Sequence, residues 1–575
     1  MIAKILTMLL GISLILTVAC GSAPAAPEPT AAPAGADTAT TPAASATSHP
    51  TSTPQMAAPP AEVEVNPGKV TIMVADLTNE RFDRAFVSAN ATSNYMRTLH
   101  GTLISDNERK EMVPGIASDW SLSADGLTWT FTIRKGVKFH DGSDVTAEDA
   151  LWTLRHYIGR EAVEYALSSM AVVARKMDRI ELNGPDQVGV TTTAPITELP
   201  VLVSEAGPSV WPVMPKRAEL RNEEEEAAYE LNPIGAGFMR LVEHVPASVM
   251  QFERFDDFYY QPKNGLPEDK RVNFQSLDLF LVPEEATRVA ALRAGEADLV
   301  SASLATKEQV EAGGGRLVFG PEGLYVDVRL DGCWLPQYPC HDKRVRQALD
   351  YAINKELIRD QLYGGSDVFQ VKGWAFFSPS TIGYTPELDP WPFDPQKARQ
   401  LLADAGYPGG KDFGKLIVNT YVSTSNAFQV EGAQLGAEFW RRELGLDVEV
   451  RVSDSVGISS RQRAGELEGQ IRWVDNQTRI DTTSWINLTY GDPESTSRFH
   501  EDPELLRLVL ETVRILDPDK RAEATETLAL RLRDESYELG IGYVNVPWAV
   551  GPRVVTWEPY PLSLWPSALH TITLE

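Results

Sequence analysis

Cysteine is almost missing from this 575-residue chain, which has three, at positions 20, 333 and 340. So few thiols exclude a disulfide-dense scaffold and a four-thiolate zinc site. Basic charge is also short: 53 Lys and Arg face 80 Asp and Glu, a net charge of −27. Such a field repels a phosphate backbone and excludes nucleic acid as a partner. Beyond the first twenty residues no apolar run reaches the length of about 18 needed to span a membrane. Catalytic motifs are lacking too, since neither G-x-S-x-G nor H-E-x-x-H occurs. The eight histidines, at 49, 100, 140, 156, 244, 341, 500 and 570, include no pair at metal-ligand spacing on one helix. No metal and no cofactor are expected. His140-Asp141-Gly142 reads as a turn, with no nucleophile motif beside it.

What is present begins with MIAKILTMLLGISLILTVAC: Lys4, an apolar run from Ile5 to Val18, and Cys20. The run is too short for a comfortable bilayer span and suits a signal peptide. Val18-Ala19-Cys20 resembles a bacterial lipoprotein cleavage box, with Thr17 where that box usually has leucine. Lipidation of Cys20 is therefore expected, the rivals being a plain secreted protein or an uncleaved anchor. From Gly21 to Pro60, 35 of 40 residues are Ala, Pro, Ser, Thr or Gly. Such a segment buries too little apolar surface to offset its ordering entropy and is read as a tether over 21–66. The body that follows carries −24.

In the body, VTIMVAD after Lys69 reads as a buried strand, and Asn94 to Leu103 has helical spacing. Trp129, Phe131 and Ile133 alternate with threonines, giving a half-buried strand. Thr146 and Asp149 form a capping box opening an amphipathic helix. The whole passage 112–158, from MVPGIASDW to LRHYI, resembles the signature of the family-5 extracytoplasmic solute-binding proteins, the peptide and nickel receptors of ATP-driven importers. Four further segments resemble the same family in the same order: 232–261 (NPIGAGF…), 285–300 (EATRVAALRAGEADLV), 342–358 (DKRVRQALDYAINKELI) and 394–410, ending AGYPGG.

The resemblance implies an α/β, two-lobed periplasmic-binding-protein type II fold of the large three-part subclass, with mixed sheets and two interlobe crossovers. By that analogy lobe one takes 67–110, 233–322 and 540–575, an insert domain takes 111–232, and lobe two takes 323–539. Stripes at Val345, Leu349, Ala352, Ile353 and at Leu505, Leu506, Val509, Leu510, Val513 agree with helices in lobe two. The implied function is capture of a solute, an oligopeptide first, and its delivery to an ABC permease with separate ATPase subunits. The chain would act without catalysis, as a monomer on the outer face of the cytoplasmic membrane. An oligosaccharide or nickel-chelate receptor, a surface hydrolase and a sensor lipoprotein are the competing readings.

Cys333 and Cys340, an even pair at short spacing in an exported chain, read as a disulfide, against a metal site with His341 or free thiols. AGYPGGK at 405–411 begins like a phosphate-binding loop, but Asp412 stands where the hydroxyl belongs, so a helix stop at Gly406 is the better reading. Glu223 to Glu226 reads as a solvated helix face. The segment 471–490 interleaves Trp473, Trp485 and Tyr490 with Arg472, Asp475, Asn476, Arg479 and Asp481. Peptide-binding relatives place an amine-binding aspartate three residues after a tryptophan. Here Asp475 comes two residues after Trp473, and Asn476 holds the third place. Trp473, Asp475, Asn476, Arg479 and Asp481 are the cleft candidates from lobe two, with core packing as the rival for the aromatics. Tyr325 at the crossover, near Gly320 and Gly323, and Asn94 and Tyr95 from lobe one complete the set.

Overall fold

The apolar stretch after the tether forms a strand, Lys69–Val74, at the middle of lobe one. The computed structural model describes residues 68–77, 80–83, 85, 93–164, 168–207, 211–216, 223–423, 425–491 and 500–575. The leader, Cys20 and the tether lie outside the described residues.

One mixed sheet runs through both lobes. Its strands lie in the order Asp447–Ser453, Lys415–Tyr421, Ile471–Gln477, Arg316–Leu330, Glu538–Val550, Leu299–Ser301, Lys69–Val74, Ser276–Leu281, Val249–Arg254 and Met239–Val245. Lys69–Val74 and Lys415–Tyr421 are parallel to both their neighbours, and the other pairs are antiparallel. Two long strands join the lobes. Arg316–Gly320 pairs with Val546–Val550 in lobe one, and Leu324–Arg329 pairs with Glu538–Val544 in lobe two. Register breaks between Gly320 and Leu324. At Gly323 a Cβ would meet Val546 Cγ2 at 2.5 Å and Ser563 O at 3.0 Å, so the crossover needs glycine for its close approach.

Each lobe buries its own apolar faces. Lobe one shares a core with a four-stranded antiparallel sheet, in the order Ala117–Leu122, Thr128–Ile133, Gln187–Thr192 and Met177–Leu182. Lobe two packs both faces of its sheet. Helices Lys343–Tyr351 and Gln429–Leu444 cover one side, and Pro503–Thr512 and Pro518–Asp534 cover the other. The capping box at Thr146 and Asp149 is formed. Cys333 and Cys340 are bonded to each other, closing the turn between the strand Arg316–Leu330 and the helix Lys343–Tyr351.

Two local expectations change. The helix starting at Ser93 stops at Leu99 instead of continuing to Leu103. The turn Gly235–Gly237 presses against its last turn, and the Gly237 amide donates to Leu99 O at 2.9 Å. That tertiary contact takes over the carbonyl that a further turn of helix would use. The acidic helix Glu223–Leu231 is not simply solvated. Glu226 pairs with Arg81, and Glu230 accepts the Phe82 amide at 2.6 Å and the Asp83 amide at 3.1 Å.

Candidate ligand-binding site

Strand direction locates the site. Lys69–Val74 and Leu299–Ser301 in lobe one run toward lobe two. Lys415–Tyr421, Asp447–Ser453 and Ile471–Gln477 in lobe two run back toward lobe one. The carboxyl ends of two sets of strands therefore face one another, which is where open α/β sheets hold ligands. A cleft opens there between Asp76, Ser301–Leu304, Ser425–Phe428, Trp548 and Trp565. On its lobe-one wall Arg288 donates to Val282 O and Pro283 O, both at 2.7 Å, and to Ser301 O at 2.8 Å. Helix Gln429–Leu444 begins at the lobe-two wall, and among the described residues no side chain caps its first amides.

The two faces of strand Ile471–Gln477 separate the sequence candidates. Trp473 and Asp475 point to one side; Asn476, paired with Tyr325 in the neighbouring strand, points to the other. The Trp473 indole lies against Gly432 and Gly436 and is 1% exposed, so core packing describes its place in this structure. Glycines four apart on a helix leave a groove that an indole fills, and that spacing was the signal available in the sequence. Both carboxylate oxygens of Asp475 are engaged: Tyr421 Oη donates to Oδ1 at 2.6 Å and Ser423 Oγ to Oδ2 at 2.7 Å. Burial pushes its carboxyl up.

On the opposite face, Tyr325 is buried, and its hydroxyl accepts from Arg329 Nη2 at 3.3 Å. Asn476 beside it is half-buried. The Arg479 guanidinium lies 4.6 Å from the centre of the Trp485 ring and has no carboxylate within ion-pair distance among the described residues. Asp481 accepts the Thr483 amide at 2.8 Å, at the start of a short helix. Tyr95 packs edge-on to Phe82 in the lobe-one core, with ring centres 5.3 Å apart, and its hydroxyl donates to Arg81 O. The side chain of Asn94 lies outside the described residues. The structure thus brings Tyr325, Asn476 and Arg479 to one face, puts Trp473 and Asp475 on the other, and sets Tyr95 apart.

Sequence reasoning missed a charged group beneath Tyr325. Asp327 and Glu538 are both fully buried, and Arg329 Nε sits 3.1 Å from Asp327 Oδ2 and 3.6 Å from Glu538 Oε2. Tyr490 donates its hydroxyl to Glu538. Burial, and next the neighbouring Asp327 carboxylate, hold Glu538 well above the usual carboxylate range. The alternation Tyr325, Asp327, Arg329, Asp331 on one strand was the readable sign.

The lobes touch across the site. Gln477 Nε2 donates to Leu562 O at 3.3 Å. Thr197, just after the strand Gln187–Thr192, donates to Val513 O at 3.3 Å.

Comparison with known proteins agrees with this geometry. Residues 111–497 match the bacterial extracellular solute-binding proteins, family 5 (middle). The glutathione-binding protein GsiB of Pectobacterium atrosepticum is 27% identical over 401 residues, 68% of this chain and 70% of that relative. A probable peptide ABC transporter periplasmic-binding protein, y4tO of Sinorhizobium fredii, is 26% identical over 84% of this chain and 90% of its own length. Among solved structures, the periplasmic binding protein DppA of Helicobacter pylori, in complex with the peptide STSA, superposes with a TM-score of 0.70 at 19% identity, covering 88% of this chain and 98% of that one. The fold is the two-lobed periplasmic-binding-protein type II fold, and the chain belongs to the family-5 extracellular solute-binding proteins, receptors of ABC importers.

Proposed function

We propose that this receptor captures short peptides in the interlobe cleft and hands them to an ABC permease driven by separate ATPase subunits. The observation that carries the reading is the cleft between opposed strand ends, joined by two strands that break register at Gly320–Leu324. Torsion of that pair closes one lobe on the other. Unpaired backbone groups at strand ends bind an extended chain without regard to sequence. The GsiB, y4tO and DppA likenesses support peptide-class ligands. The receptor binds and releases its ligand chemically unchanged. Lobe one takes 67–110, 233–322 and 540–575, the insert 111–232, and lobe two 323–539. The monomer is held by lipid on Cys20 at the outer face of the cytoplasmic membrane, with 21–66 as its tether.

Native mass spectrometry of the full-length protein, purified without refolding and then denatured, tests this. A set of released short peptides is the expected result. A single sugar or a metal chelate overturns the ligand class, and turnover of a peptide or glycan panel overturns the receptor reading.

A further inference from the structure

A second cavity opens in lobe one, on the far side of Trp565 from the interlobe cleft. Three cations line it: Arg97 at the end of the helix Ser93–Leu99, Lys110 in the turn after the strand Ile104–Asp106, and Lys270. Their donors outnumber their acceptors. Lys110 Nζ donates to Asp106 Oδ2 at 2.5 Å, and this is its one hydrogen bond among the described residues. Lys270 donates to Ser105 Oγ at 3.2 Å and to the Asp106 carbonyl. Arg97 Nη2 reaches Gly207 O at 3.3 Å, while its Nε is buried with no partner among the described residues. A guanidinium offers five donors and an ammonium three, and neither accepts.

The acids present do not balance this surplus. Asp106 is 3.8 Å from Lys270 and is already bonded to Lys110. Glu205, which also lines the cavity, accepts from Ser105 Oγ at 3.1 Å and makes no ion pair among the described residues. Burial, and next Asp106, push its carboxyl up. Glu268, 3.8 Å from Lys270, is 38% exposed, where solvent screens it. The ring faces of Tyr260, 4.5 Å from Lys270 Nζ, and Tyr560, 5.7 Å from Lys110 Nζ, are the remaining electron-rich neighbours. Lys110 holds a left-handed backbone, φ 63°, rare for a side chain of its size. Buried cationic donors without acceptors are costly unless an anion completes them.

We infer that this cavity is a subsite for a small anionic group, a carboxylate or a phosphate, gripped by Arg97 with Lys110 and Lys270. Two sources share that chemistry: a free anion, or the carboxyl end of a peptide reaching past Trp565. The second source rests on the proposed function; the first stands without it.

The test is isothermal titration calorimetry on full-length protein stripped of ligand. One arm uses inorganic phosphate and acetate; the other uses peptides with free or amidated C-termini. Arg97→Gln leaves the Asp106–Lys110 pair in place, and Arg97→Lys keeps the charge. For a free anion, phosphate or acetate binds saturably, weakens about tenfold or more in Arg97→Gln and recovers in part in Arg97→Lys. For a peptide carboxylate, amidation costs about tenfold in the wild type and nothing further in Arg97→Gln. If neither arm responds to position 97, the subsite is overturned. If no peptide binds, the transport reading fails while the phosphate arm still decides. Should Arg97→Gln not fold, the anomalous signal of selenate in crystals of the wild type replaces it: selenate between Arg97 and Lys110 supports the site, and its absence there overturns it.

Discussion

Gly436→Ala sets two effects of similar size against each other. Gly436 lies inside the helix Gln429–Leu444, and in an exposed helix the change to alanine stabilises by about 1 kcal/mol. Here the new Cβ would fall well under 3.0 Å from Trp473 Cζ3 and 3.0 Å from Cη2. The ring is fully enclosed, between the helix and its own strand, so it has nowhere to move. Overpacking of this kind costs about 1–3 kcal/mol, which leaves a net loss of up to about 2 kcal/mol. Gly432 is the internal control. Its Cβ would stand 3.2 Å from Trp473 Nε1, a distance relieved by a few tenths of an ångström, so gain and cost nearly cancel. Urea denaturation of the two single variants, of Trp473→Phe and of the Gly436→Ala/Trp473→Phe double variant supplies both the loss and the coupling. The expected pattern is a clear loss for Gly436→Ala, no more than about 0.5 kcal/mol for Gly432→Ala, and partial rescue by the smaller ring. Equal effects at the two glycines, or zero coupling to Trp473, would refute the packing and return Trp473 to the cleft.

Three more outcomes follow from the same coordinates. Asp475→Asn lowers stability by about 1–3 kcal/mol, because it disturbs the bonds from Tyr421 and Ser423, yet leaves the affinity ratio between free and N-acetylated peptides unchanged; a ratio that collapses to one makes Asp475 the amine anchor after all. His100 is fully buried, with both ring nitrogens unpartnered among the described residues, and burial lowers its pKa from 6.5 to about 3. Its stabilising contribution is therefore complete above pH 6.5 and is lost as pH falls from 6.5 toward 3, by up to about 1.4 kcal/mol per pH unit, so wild type minus His100→Phe in urea melts should show that slope and a flat difference refutes it. Replacing both Cys333 and Cys340 by serine costs at most about 2–3 kcal/mol for so short a loop, measured by the shift in urea midpoint; a larger loss means the turn is holding the following helix in place.

Legibility in the sequence followed the range of the forces involved. The capping box at Thr146, the alternating strand around Phe131 and the stripe through Val345 and Leu349 depend on neighbours in the chain, and their patterns were plain. The helix end at Leu99 depends on a turn at Gly235–Gly237, far away in the sequence, so periodicity overran it. Trp473 carried the same ambiguity: an aromatic among charged residues looks the same whether it lines a cleft or fills a groove, and the groove is cut by Gly432 and Gly436 on another element. The Asp327–Arg329–Glu538 group joins two strands more than two hundred residues apart, so half of its pattern was visible and the partner was not.

The position of Glu538–Val550 bears on when the molecule can form at all. That strand lies in the middle of the sheet, between Arg316–Leu330 and Leu299–Ser301, and it serves both lobes. A chain emerging from the ribosome must therefore wait for residues 538–550 before either lobe can close its sheet. Loop-closure entropy across more than two hundred residues makes that final insertion slow. Until then the edges on both sides of the gap stay open, a state favourable to passage in extended form and exposed to proteases or chaperones. A stop codon shortly before Glu538 would leave neither lobe intact.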